Sequence, residues 1–127
     1  MREKAYRERC KKELIEERLI KGAKPGDCIL YILKFWFKSN PEEYFFKIGT
    51  TKTSIKERYH SGYFEFDYKI VSEHYFEEIY CKALEQKLLY EHRMLDLQYK
   101  FPEGIKFVGY TECFKELDTN ILTCLLS

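Results

Sequence analysis

Residues 28–36 read CILYILKFW, a run in which Lys34 is the one charged residue and nearly every other side chain is aliphatic or aromatic. A strand with one wet face alternates apolar and polar residues, whereas a run apolar at both parities must be covered on both sides. This strand therefore has to lie between two layers. Next, KSNPEE at 38–43 supplies turn chemistry, and YFFKIG at 44–49 returns as the hairpin partner.

The remaining elements follow from local signals. Ser54 and Glu57 have the S-x-x-E spacing of a capping box, so a short helix should start near Ile55, carry Lys56, Arg58 and Tyr59, and end at His60-Ser61-Gly62. FDYKIVSEHY at 66–75 is rich in β formers and predicts a third strand. From Glu77 to about Asp96 the chain reads as a helix that is acidic at its start, as the helix dipole prefers. Pro102-Glu103-Gly104 is a turn, 105–109 reads as a short strand, and 111–125 reads as a helix capped by Thr111. Ahead of all this, residues 2–21 predict a charged helix stopped by Gly22 and Pro25-Gly26, with Tyr6, Cys10 and Leu14 at helical spacing. That helix either caps the body or contacts DNA.

The expected fold class is α/β (α+β), with a small, mostly antiparallel, three-stranded sheet flanked by helices. A chain of 127 residues suits one domain over 1–127, with 1–24 appended as the charged helix. With 45% apolar, 17% aromatic and 34% charged residues, the composition is that of a folded, aromatic-cored protein and excludes a disordered tail.

Five cysteines, at 10, 28, 81, 113 and 124, form no CxxC pair and read as reduced thiols in a cytosol-like compartment. The charged opening MREKAYRERCKKELIEERL lacks the apolar stretch of a signal peptide. No apolar run approaches the roughly 18–20 residues of a membrane span. A soluble, cytoplasmic protein is expected, in the host cytoplasm if the chain is viral.

A net charge of +1 hides local patches. Residues 1–24 hold nine Lys or Arg against five Glu, and 47–58 hold four against Glu57, while 65–91 hold three against seven acids. A phosphate-binding surface would draw on the first two stretches.

Four residues could carry chemistry. Glu85 lies within about 60° of Cys81, Leu88 and Leu89 on a helical projection, and a carboxylate on an apolar stripe needs either a salt-bridge partner or a cation. Lys47, among Tyr44, Phe45, Phe46 and Ile48, is either an edge lysine reaching water or a cation for a carboxylate or phosphate. Tyr31 is either a core tyrosine or a base, and the second role needs a cation beside it. Arg58 on the short basic helix is either solvated or a fork for phosphate oxygens.

Tyr31, Lys47-Ile48-Gly49, Arg58 and Glu85, in this order and with ALEQKLL at 83–89 and TECF at 111–114, resemble the GIY-YIG nuclease superfamily. The resemblance spans roughly 28–115 and looks closest to a compact branch of phages and a fungal meiotic gene family, in which KIG replaces YIG. It implies a metal-dependent endonuclease that hydrolyses DNA phosphodiesters, RNA being open as an alternative substrate. Glu85 would hold one Mg²⁺ or Mn²⁺, Tyr31 assisted by Lys47 would take the nucleophile's proton, and Arg58 would steady charge on phosphorus, supported by His60 or Tyr59. Lys52, Lys56 and Tyr59 would contact the nucleic acid. Glu112 either orients something at the site or opens the last helix. The first-motif Gly-Ile is replaced by Ile29-Leu30, and His60, Tyr59 and Tyr63 compete for one family position. Lys47 in place of the second-motif Tyr, together with the modest net charge, favours the alternative, a catalytically inactive module of the same fold that binds nucleic acid or a protein. ILTCLLS at 121–127 and the N-terminal helix offer a homodimer contact in either case.

Overall fold

The computed structural model describes residues 26–59 and 65–126, so the helix expected over 2–21, His60 and Tyr63 lie outside the described residues. Strands β1 (Cys28–Phe37), β2 (Asn40–Thr51) and β3 (Phe66–Phe76) form the body of the sheet. Helix α1 (Ile55–Arg58) connects toward β3, and helix α2 (Glu78–Met94) follows it. A 3₁₀ turn over Tyr110–Glu112 leads into strand β4 (Cys113–Phe114), and helix α3 (Thr119–Leu126) ends the described chain. The fold is α+β, with one sheet in the order β3-β1-β2-β4 and every pairing antiparallel.

The expectation of three strands is corrected to four. Residues 105–109 form no strand; the extra pairing is β4, which sets Cys113 opposite Lys47 and Phe114 opposite Phe46. A two-residue strand is too short to show alternation, so its pairing depends on the tertiary context. The helix expected over 111–125 is likewise shortened to Thr119–Leu126, because Asp118 rather than Thr111 caps it, its Oδ1 accepting from the Ile121 amide at 2.9 Å. The hairpin turn is tighter than expected: β2 already begins at Asn40.

β1 is buried along the whole of one face and from Cys28 to Ile32 along the other, where Lys34 and Trp36 are half-buried. Ile29, Tyr31, Leu33, Phe35 and Phe37 enter one cluster together with Phe45, Tyr59, Phe66, Tyr99 and Phe107. Cys28, Leu30 and Ile32 enter the other, with Ile48, Leu84, Leu88, Leu89 and Phe114. The first face is dominated by rings: Phe35 stacks on Phe45 with centroids 5.5 Å apart, and Phe107 meets Phe35 edge-on at 5.0 Å. The second is aliphatic and is covered by α2 and α3. Burying one Phe or Leu side chain is worth about 1.5–3 kcal/mol, so both layers contribute substantially.

One buried polar residue fastens the aliphatic layer. His92 on α2 is fully buried, with its Nδ1 2.8 Å from the Leu88 carbonyl and its Nε2 3.1 Å from the Asp118 amide. The amide can only donate, so Nε2 accepts and the proton sits on Nδ1, which donates to Leu88. α3 is thereby tied to α2 at its first turn.

Among the described residues, no helix is long and apolar enough to cross a membrane.

Candidate functional site

Tyr31 lies opposite Gly49 across the β1–β2 pair. A Cβ at position 49 would sit 2.5 Å from the Tyr31 Oη, so the absent side chain is what lets the phenol lie over the β2 backbone. Its hydroxyl reaches the Tyr59 hydroxyl at 2.8 Å, and the two rings meet edge-on with centroids 5.9 Å apart.

Tyr59 is delivered by α1. The Ser54 hydroxyl accepts from the Glu57 amide at 3.1 Å, as the capping-box spacing predicts, and Tyr59 closes the far end of the helix with its amide on the Ile55 carbonyl. Arg58 precedes it, exposed, with its guanidinium carbon 5.7 Å from the centre of the Tyr59 ring. Burial pushes the Tyr31 phenol up to about 12, against the hydrogen bond from Tyr59 and the positive charge of Arg58, while Glu112 and Glu85 push it further up.

Lys47 is 3% exposed, and its Nζ donates to Glu112 Oε1 at 2.6 Å and to the Ile48 carbonyl at 3.2 Å. The partner arrives through the turn before β4: Gly109, at φ +81°, enters the left-handed region and starts the 3₁₀ turn that carries Glu112. A Cβ at Gly109 would lie 3.1 Å from Glu112 Oε1 and 3.2 Å from Lys47 Nζ, so the backbone there closes directly over the ion pair.

Glu85, 8% exposed, sits on α2 among Cys81, Leu84 and Leu88. Burial first, and then the Glu112 carboxylate, raise its carboxyl to about 6, opposed by Lys47 and a hydrogen bond to Gln86. Among the described residues no ion pair is made by Glu85. A buried carboxylate raised in pKa by burial and by the charge of a second carboxylate is in the electrostatic setting that a divalent cation relieves. No cluster of three or more His, Cys, Asp or Glu occurs among the described residues, so such a cation would keep most of its shell as water, in the manner of Mg²⁺ held by one or two carboxylates.

The charge of Glu85 thus reaches both Tyr31 and Lys47, and Arg58 reaches Tyr31 from the exposed edge. Lys52 and Lys56 are exposed, Lys52 paired with Glu78 on α2. Tyr59, expected to contact nucleic acid, is buried and bonded to Tyr31. His60 lies outside the described residues. Glu112 is the site residue that sequence reasoning weighed without committing to it; the signal for it was the need of a buried Lys47 for an anion.

Neither a scan of protein-family models nor searches of curated proteins and solved structures finds a match to this chain.

Proposed function

We propose that this chain is a metal-dependent endonuclease that hydrolyses DNA phosphodiester bonds through a GIY-YIG-like site using Mg²⁺ or Mn²⁺. The observation that carries the reading is Glu85: a buried carboxylate with no ion pair among the described residues, within electrostatic reach of a phenol and a buried ammonium. Glu85 would hold the cation, with Glu112 nearby adding negative charge. When bound, the cation supplies Lewis-acid stabilisation of charge on the phosphate and the leaving oxygen.

The side chains supply the rest. Arg58, at the exposed edge, pairs with non-bridging phosphate oxygens and steadies the charge that builds on phosphorus. Tyr31 is protonated at neutral pH and hydrogen-bonded to the Tyr59 hydroxyl at 2.8 Å, so it orients the attacking water and takes a proton from it only as it gives up its own to bulk water. Lys47 balances the carboxylates that crowd the site. Lys52 and Lys56 give salt-dependent contacts to the DNA backbone. The four described cysteines are free thiols, which suits a cytoplasmic setting.

The test is incubation of the purified chain with supercoiled, duplex and single-stranded DNA in Mg²⁺, Mn²⁺ or EDTA, beside Glu85→Gln and Tyr31→Phe. The expected result is metal-dependent cleavage, lost in both variants. A folded wild type that cuts nothing under any condition overturns it.

One observation favours the alternative of a binding module without turnover: the Lys47 ammonium that would assist Tyr31 is already neutralised by Glu112. On that reading Glu85→Gln binds DNA or a protein partner as the wild type does, and divalent cations change nothing.

A further inference from the structure

The segment between α2 and β4 folds around a cavity of about 880 Å³ lined by Tyr99, Phe101, Phe107, Tyr110, Lys100 and Lys106, among others. The volume is within the usual range for small-ligand sites. Three features of its wall matter. Tyr99 and Phe107 are buried, Phe101 and Phe107 stack with centroids 5.4 Å apart, and Phe101 meets Tyr99 edge-on at 4.8 Å, so the floor is a preformed surface of rings. Tyr99 is further held by its hydroxyl, which donates to Glu43 Oε1 at 2.6 Å. At the rim, Tyr110 is 61% and Val108 68% exposed, large apolar groups left facing water.

The cavity borders the Lys47–Glu112 pair of the candidate site at one residue. Gly109 lines it and is also the residue whose backbone closes over Lys47 and Glu112. Its charged lining is two lysines, Lys100 and Lys106, against the single carboxylate of Asp96. Flat aromatic surface with flanking ammonium groups, one residue away from a proposed phosphodiester site, is the chemistry that accepts a base stacked on rings while its strand's phosphates meet the cations.

We infer that this cavity receives one unpaired nucleobase of the DNA strand being cut, so that the enzyme prefers single-stranded or locally opened DNA to a perfect duplex. The inference rests on the nucleic-acid reading above and extends it to a substrate class. Tyr110 supplies the exposed stacking face, the buried rings supply the floor, and Lys100 and Lys106 hold the flanking phosphates.

The test is a binding measurement in EDTA, which separates it from hydrolysis, using a short single-stranded DNA that carries one 2-aminopurine and, as competitor, a perfect duplex of the same sequence. The expected result is quenching of the 2-aminopurine on binding and weak competition by duplex. Tyr110→Ala weakens binding about tenfold at unchanged thermal stability, Tyr110→Phe restores it, and Lys106→Glu weakens it and flattens its salt dependence. Fluorescence unchanged on binding, wild-type affinity in Tyr110→Ala, or equal affinity for duplex overturns the inference.

The two readings fail separately. Quenching that depends on Tyr110 in a protein that cuts no DNA keeps the base site and removes the hydrolase. Cleavage that depends on Glu85, in a protein whose Tyr110→Ala variant binds normally, does the reverse.

Discussion

The two faces of β1 are covered by different materials. On one side Leu30 and Ile32 pack against the aliphatic stripe of α2, and α3 seals the layer behind it. On the other, Tyr31, Leu33 and Phe35 are covered by rings from β2, β3, α1 and the segment leading into β4. A helix gives a continuous apolar stripe with its backbone polar groups satisfied internally. Loops and short turns bring in backbone and side-chain polar groups that need partners, and those groups converge where Tyr31, Lys47 and Gly49 lie. The aliphatic side therefore chiefly holds shape, while the aromatic side combines packing with most of the polar groups of the candidate site. Glu85 is the exception, since it comes from the helix layer.

Truncating each core separates the two roles most strongly. Phe45→Ala on the aromatic face should cost about 3–5 kcal/mol, and Leu88→Ala on the aliphatic face about 2–5 kcal/mol, by urea unfolding. Near-equal losses of stability with DNA binding impaired only in Phe45→Ala, at temperatures where both are folded, support the division. Equal impairment breaks it.

Next in size is the ion pair that joins β2 to the covering segment. Glu112→Gln should cost on the order of 2 kcal/mol, below the full range for a buried pair because Glu112 keeps contact with water. Adding Lys47→Met should recover most of that loss, since the unpaired buried ammonium is removed too. A double variant no more stable than the single would show that the pair is not what fixes the segment.

The smallest effect changes sign from the others. In the unfolded chain Glu85 titrates near 4.5, and in the folded protein at about 6. Below pH 4.5 both states are protonated and the group is neutral toward stability. Between the two values the unfolded state has lost the proton that the folded state still holds, so stability falls as pH rises, by about 2 kcal/mol once pH exceeds 6. Glu85→Gln should therefore stabilise the protein by up to that amount at pH 7 and by nothing near pH 4. Mg²⁺ or Mn²⁺ should raise the melting temperature of the wild type and leave the variant unchanged. A variant less stable at neutral pH would show that the carboxylate is paired after all.

Much of this architecture was legible where short-range rules decide it. The double-sided burial of β1 followed from a run apolar at both parities, and the start of α1 at Ile55 from Ser54 and Glu57. Glu85 was conspicuous as a carboxylate on an apolar stripe. What could not be read were the partners. Tyr31 meets Tyr59 across 28 residues and Lys47 meets Glu112 across 65. Both depend on how the sheet and its covering loops close, and no local periodicity encodes that. The segment over 105–114 failed for the same reason: its apolar residues face a loop-built cavity and a two-residue strand, so neither the helical nor the strand period applies.

The ring of His92 has a use beyond packing. With one nitrogen donating to Leu88 and the other accepting from Asp118, its two nitrogens are chemically unlike, and any detachment of α3 removes the second contact alone. The ¹⁵N resonances of that single imidazole are thus a built-in gauge of whether the C-terminal helix is seated, readable in solution without a label on the helix itself.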